Sequence, residues 1–379
     1  MNSVRVIVLC ALGGTVGAQE RGTLFQRPAP KADVFLPSEA WHDVGESIQL
    51  RGASFTVDRS ERGELGIDTD GDGEVDSRLS GQGGRVVLSG QPTEATTFRF
   101  VVNFRHHVEG WQWTSSGCLV ARIRGQMLRL FDQDGNGHFA DFGTDAIAIG
   151  DSAAATVLSR VIRLNDALLH VDILDDAREI QVTPFDGPTG WIDARTTFIS
   201  QGQLRAAIIQ DGDLSFDLAA GPGPVKVPTG NYRLVSGLAV AGDESVSIRA
   251  GRMHPIRVEA DAKVTVAWGG PLRAEFEYRV ENDKIIVDPG VVFYGQAGEE
   301  YFAFRPCAKS PQLRILDRET GATVQAGSFG GSCGGGLSRF EAVVPRGVQL
   351  EVFLDHERSL FGKITGSSHT DTTQATAER

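Results

Sequence analysis

Across residues 96–108 every second side chain is apolar or aromatic. Phe98, Phe100, Val102, Phe104, His106 and Val108 would share one face of an extended chain. A helical period of 3.6 would scatter these side chains, whereas a period of two gathers them on one face of a strand. Glu109-Gly110 then turns the chain into Trp111-Gln112-Trp113. The pattern returns at Leu169, Val171 and Ile173, with a turn at Asp175-Asp176 and a partner strand through Ile180 and Val182. A chain written this way must form sheets.

Glycine supplies 46 of the 379 residues, well above the usual ~7%, as a chain rich in turns requires. The one segment with a helical face is 152–164, where Val157, Leu158, Val161 and Ile162 fall on one side; a short helix is expected there. A Gly/Pro-rich break at 220–224 precedes Val227-Pro228-Thr229-Gly230-Asn231-Tyr232-Arg233-Leu234. This phrase resembles a hairpin of transthyretin-like and related β-sandwich modules. Strand-like runs follow at 245–249, 254–258, 263–268 and 274–280, and again at 301–304, 313–316 and 339–344, with turn signals between them. The glycine-rich stretch 330–336 has neither the lysine nor the strand–loop–helix setting of a phosphate loop. The expected class is mostly β: two or three β-sandwich or β-meander domains with inserted calcium-binding loops. The expected division is a signal peptide at 1–18, a β-rich domain with both loops at 19–224, a β-sandwich region at 225–270, a C-terminal β-sandwich at 271–366 and a disordered polar tail at 367–379.

Two acidic loops carry the chemistry. The first runs from Asp68 to Asp76 and reads DTDGDGEVD; the second runs from Asp132 to Asp145 and reads DQDGNGHFADFGTD. Each places oxygen-bearing side chains at its first, third and fifth positions and glycine at its fourth and sixth. Calcium takes six to eight hard oxygen ligands at about 2.3–2.6 Å, and alternate residues of a tight loop can point theirs inward. In the first loop Asp68, Asp70, Asp72 and Asp76 offer carboxylates and Glu74 its carbonyl. In the second Asp132, Asp134 and Asn136 lead, His138 offers its carbonyl, and Asp141 or Asp145 must close the shell. An ordinary Asp/Asn/Gly turn without an ion is the plainer reading of one such loop. Two in one chain, with five carboxylates crowded into 68–76, favour a cation.

These loops resemble the calcium loops of EF-hands, dockerins and thrombospondin type 3 repeats. Leu79 stands where an EF-hand has its closing glutamate, so the first loop is closer to the aspartate-rich type 3 repeats. The flanks differ from an EF-hand too. Ala121, Ile123, Met127, Leu128 and Leu130 sit among arginines in a broken alternation, and residues 146–149 read Ala-Ile-Ala-Ile. A sensor EF-hand swings two helices apart. No helices are expected here, so the ions would pin the fold rather than signal.

Compartment agrees with the ion. Arg5, the apolar run 6–12 and Val16-Gly17-Ala18 have the layout of a secretory signal peptide with cleavage before Gln19. Leu9 precedes Cys10 where lipid attachment wants a small residue. No other stretch approaches the ~20 apolar residues of a membrane helix. The expected location is outside the cytoplasm, in the periplasm or at the cell surface, where calcium sites with dissociation constants of about 10⁻⁴–10⁻³ M are useful. Cys307 and Cys333 are expected to form a disulfide in that oxidising setting, leaving Cys118 as a small buried residue. No Cys/His group has zinc spacing. A net charge of −12 argues against nucleic acid or an anionic membrane as partner, leaving a surface polysaccharide or a protein as the candidate.

Catalytic signatures are missing. The only GxSxG match, at 330–334, lies in a glycine-rich stretch without the strand–turn–helix setting of a nucleophile elbow, there is no HExxH, and the acidic residues are too many for one glycosidase pair to stand out. His106-His107 beside Trp111 and Trp113 is the best candidate patch, but adjacent residues of a strand face opposite ways, so one core and one surface histidine are expected. The tryptophans are expected in the core, a sugar-stacking platform being the sharper alternative. The reading is a secreted calcium-binding β-protein, structural or binding, and not an enzyme. The runner-up is a calcium-dependent extracellular hydrolase, to be recognised by a cleft with converging carboxylates or histidines.

Overall fold

The computed structural model describes residues 19–27, 34–60, 63–81, 83–93, 96–107, 109–174, 177–306, 310–332, 336–345, 347–367 and 369–370. Among them the chain forms strands and no helix, arranged in several separate sheets. The expected signal peptide and the cysteine pair Cys307 and Cys333 lie outside the described residues. Cys118 is a fully buried thiol.

Two apolar cores account for most of the buried side chains. The first is built from residues between Leu24 and Val182, with Phe55, Leu88, Val102, Leu128, Leu130 and Ile180 among its least exposed members. Its long hairpin pairs Gly83–Thr93 with Thr96–His107, and Gly110–Ser115 adds on the other side. Phe100, Val102 and Phe104 are buried there, as their alternation requires. His106 stands on the same face but past the end of the core. Both it and His107 are exposed, against the expectation of one buried histidine, and the His106 ring lies edge-on to Trp111 at 5.3 Å. Trp111, Trp113 and Trp268 are core residues.

The second core gathers residues between Val161 and Ile364, most of them from the C-terminal half. A twelve-stranded sheet runs from Leu214–Asp217 at one end to Thr323–Ser328 at the other. It passes through strands on both sides of the 270/271 boundary, joined where Glu244–Arg249 pairs antiparallel with Glu300–Arg305. Val225–Pro228 and Gly230–Ala241 do not form a hairpin with each other: the first pairs with Thr189–Asp193 and the second with Gln203–Asp211 and Glu244–Arg249. What ties the corner is Tyr232, fully buried, whose hydroxyl donates to the Pro228 carbonyl at 3.0 Å. The glycine-rich stretch 330–336 begins and ends in short paired strands, Gly330–Ser332 and Gly336–Ser338. The expected tail begins in order: Gly362–Ser367 is a strand and His369–Thr370 pairs with Glu277 and Tyr278.

The expected helix at 152–164 is not formed. Thr156–Val157 and Val161–Leu164 are short strands instead. The reason lies in Ser159, whose hydroxyl donates to the Val161 carbonyl at 2.7 Å and accepts from the N–H groups of Val161 at 3.2 Å and Ser215 at 3.0 Å. A serine holding its neighbours' backbone groups competes with a helical ladder. The β-branched Val157, Val161 and Ile162 then favour the extended form. This segment also joins the halves: Ala154 and Val157 bury themselves against Ala206 and Ile208.

Candidate metal centres

Both acidic loops close β-hairpins. Leu65–Ile67 is fully buried and leads into Asp68, and the chain returns as Ser77–Leu79. Gln126–Phe131 leads into Asp132 and returns as Ala146–Ile149, with Phe131 opposite Ala146. The strands bury the first loop residue in each case: Asp68 is 1% exposed and Asp132 0%.

The two loops then repeat one hydrogen-bond scaffold. Asp68 Oδ1 accepts from the N–H of Gly71 at 2.7 Å, and Asp132 Oδ1 from that of Gly135 at 2.7 Å. Asp68 Oδ2 accepts from Gly73 N–H at 3.1 Å, and Asp132 Oδ2 from Gly137 N–H at 3.0 Å. The third-position carboxylates Asp70 and Asp134 each accept from the N–H two residues on, at 3.3 Å in both loops. The fifth-position oxygens of Asp72 and Asn136 do the same toward Glu74 and His138, at 2.8 and 2.7 Å. Glycine is required at the fourth and sixth positions because φ there is +82° and +91° in the first loop and +73° and +87° in the second, a region closed to most L side chains.

The closing residue differs in sequence but not in role. Asp76 Oδ2 accepts from the Thr69 N–H at 2.7 Å, and Asp145 Oδ1 accepts from the Gln133 N–H at 3.2 Å. Each thereby folds back onto the second position of its loop. Of the two candidates for closing the second loop, the structure brings in Asp145. Asp141 instead accepts from the Asn136 side-chain amide at 2.7 Å and donates its own N–H to Asp145 at 2.9 Å.

Ligand oxygens of Asp68, Asp70 and Asp76 come within 4.8 Å of one another, and so do those of Asp132, Asp134 and Asp145. Each cluster could hold a metal ion. Asp72 and Glu74 stand outside the first trio and the His138 side chain outside the second; all three are exposed.

Electrostatics separates the loops. Asp132 and Asp145 are both fully buried. Burial drives Asp132 up to about 7, helped by the hydrogen bond and charge of Asp134. Burial likewise drives Asp145 up to about 8, with the charges of Asp132 and Asp134 adding to it. Such carboxylates must bind a proton or a cation, because an isolated buried charge is too costly to keep. Asp76 is the opposite case: the N–H and hydroxyl of Thr69 hold it below the ordinary carboxylate range.

Two residues with no local sequence signal grip the second loop. His42 Nε2 lies 2.5 Å from the Asp134 carbonyl, and its ring stacks on Trp113 with centroids 4.8 Å apart. Gln133 is 1% exposed and ties the loop's ends, donating to the Thr144 carbonyl at 2.7 Å and accepting from the Ser38 N–H at 2.8 Å. Compared with known proteins, the chain matches no protein-family model, no curated protein and no solved structure.

Proposed function

We propose that this protein is a calcium-pinned β-protein of the cell surface or extracellular space, with a structural or binding role. The repeated loop scaffold carries the reading: two hairpins, unrelated in their flanking strands, arrive at the same oxygen arrangement and the same closing contact. All the candidate ligands are hard oxygens, which suits calcium or magnesium and excludes the soft metals. Calcium is the better match. Its variable coordination tolerates a shell closed after nine residues in one loop and fourteen in the other, whereas magnesium demands near-octahedral geometry and keeps its waters. The hairpins end in strands rather than mobile helices, so an ion here would fasten the fold.

The test is thermal unfolding in chelator, in millimolar calcium and in millimolar magnesium. Calcium should raise the melting temperature as its concentration passes the dissociation constant, and magnesium should do much less. Superimposable curves in chelator and calcium would remove the basis for the proposal.

A further inference from the structure

A cavity of about 300 Å³ lies between the two halves of the chain, walled by Ile147, Ile162 and Phe216 and lined also by Ser215 and Asp217. It continues past Arg163, Asp166 and Gly221, which it shares with a second hollow of about 250 Å³ lined by Trp191 and Lys226. Together they make a cleft of the size that holds a small ligand, with apolar walls and a few polar groups. It shares no residue with the acidic loops.

Within it Ser215 is out of place for a purely structural residue. It is 2% exposed, and its hydroxyl has no hydrogen-bond partner in the protein. Its backbone N–H is already committed to Ser159 at 3.0 Å. A buried hydroxyl without a partner costs on the order of 1–3 kcal/mol; this one lies in the cavity wall with under 1 Å² exposed, so a ligand meets it only through a small shift of that wall. A single water occupies only about 30 Å³, far less than the space. Asp217, next but one along the same strand, has one carboxylate oxygen, Oδ1, held by the N–H groups of Ala207 and Ala219, each at 2.9 Å. That fixes the carboxylate as an acceptor beside the hydroxyl.

At the mouth Trp191 is half-buried. It sits in register between Lys226 and Lys263, with the Lys226 ammonium 5.7 Å from the ring centroid. Arg163 is paired with Asp166 at 3.6 Å and Lys263 with Asp193 at 2.9 Å, the Lys226 ammonium is turned to the indole, and the chain's charge of −12 gives an anion no long-range attraction. A ligand with C–H faces for the indole and apolar walls, and hydroxyls for Ser215 and Asp217, satisfies all of these groups. We propose that this cleft binds a neutral saccharide unit. This takes up the binding role named above and locates it; the calcium reading stands on other residues.

The experiment uses the full chain in calcium, titrated with maltotriose, cellotriose and chitotriose, and with trigalacturonate as the anionic control. Saturation-transfer NMR and tryptophan fluorescence report binding. At least one neutral trisaccharide should bind. Trp191→Ala should weaken it about ten-fold or more, while Trp191→Phe keeps most of the affinity, because an aromatic face is what stacks. Ser215→Ala should weaken it as well, with circular dichroism confirming that each variant is folded. No binding by any neutral trisaccharide at millimolar concentration, preference for the anionic control, or affinity unchanged in both Trp191→Ala and Ser215→Ala would overturn the proposal. Calcium uptake measured on the same samples reports separately on the acidic loops.

Discussion

Asp132 and Asp145 give the second loop a pH signature. Their ordinary value is near 4, and in the folded chain they rise to about 7 and about 8. A carboxylate whose pKa rises on folding binds its proton more tightly in the folded state. Its contribution is therefore fully present below about pH 4 and is lost as pH climbs through the folded value. In chelator these two residues should weaken the fold progressively from about pH 4 to pH 8. Calcium bound at these carboxylates, as proposed, would displace the protons and cancel that loss. The rise in melting temperature caused by calcium should accordingly be larger at about pH 8.5 than at about pH 5. An equal or larger rise at the lower pH would show that these carboxylates are not where the ion acts. At this scale the acidic clusters were readable in part, because the first and third positions are neighbours in sequence; the fifth-position Asp72 stands outside its cluster. The choice of Asp145 over Asp141 was not readable, since it depends on how the chain between Asn136 and Asp145 folds. Nor were His42 and Gln133, whose contacts with Asp134 and Ser38 are long-range.

The two hairpins differ in how firmly they hold their loops. A Cβ added at Gly135 would sit 2.7 Å from His42 Nε2, and one at Gly137 would sit 2.8 Å from Arg51 Cγ. At Gly73 in the first loop it would meet nothing within 4 Å. The second loop is thus packed against the rest of its domain and the first projects into solvent. Binding to a preorganised loop loses less entropy, and disorder in a packed loop spreads to its neighbours. In saturating calcium Asp134→Ala should destabilise the protein more than Asp70→Ala, by on the order of 1 kcal/mol or more, as read from melting curves. The reverse order would mean that the number of carboxylates outweighs anchoring. Strands with clear alternation, such as Thr96–His107 and Ala167–Leu174, were legible because one buried face is a local pattern. The segment 152–164 was not: its apolar spacing suits a helix, and only the Ser159 hydroxyl, bonded partly to a residue in the other half of the chain, selects strands.

At the scale of the whole molecule, two cores meet along Ala154, Val157, Ala206 and Ile208. Polar contacts reinforce the seam: Gln210 donates to the Gly143 carbonyl at 2.9 Å, and the Arg160 backbone N–H donates to the Asp213 carbonyl at 2.8 Å. Gly143 belongs to the second acidic loop, so that loop touches both halves. The C-terminal half forms a common core, something a strand-by-strand reading does not reveal, because the pairing of Glu244–Arg249 with Glu300–Arg305 is set by tertiary packing rather than by any turn. No helix among the described residues is long and apolar enough to cross a membrane.

The central claim is that each hairpin loop holds one calcium ion through the carboxylate trio the fold assembles. Titration calorimetry of the chelator-stripped chain tests it most directly. The full chain should take up two calcium ions, Asp145→Asn should take up one, and Asp141→Asn should still take up two. A native chain that binds none or one, or an Asp145→Asn variant that keeps both, would contradict the account.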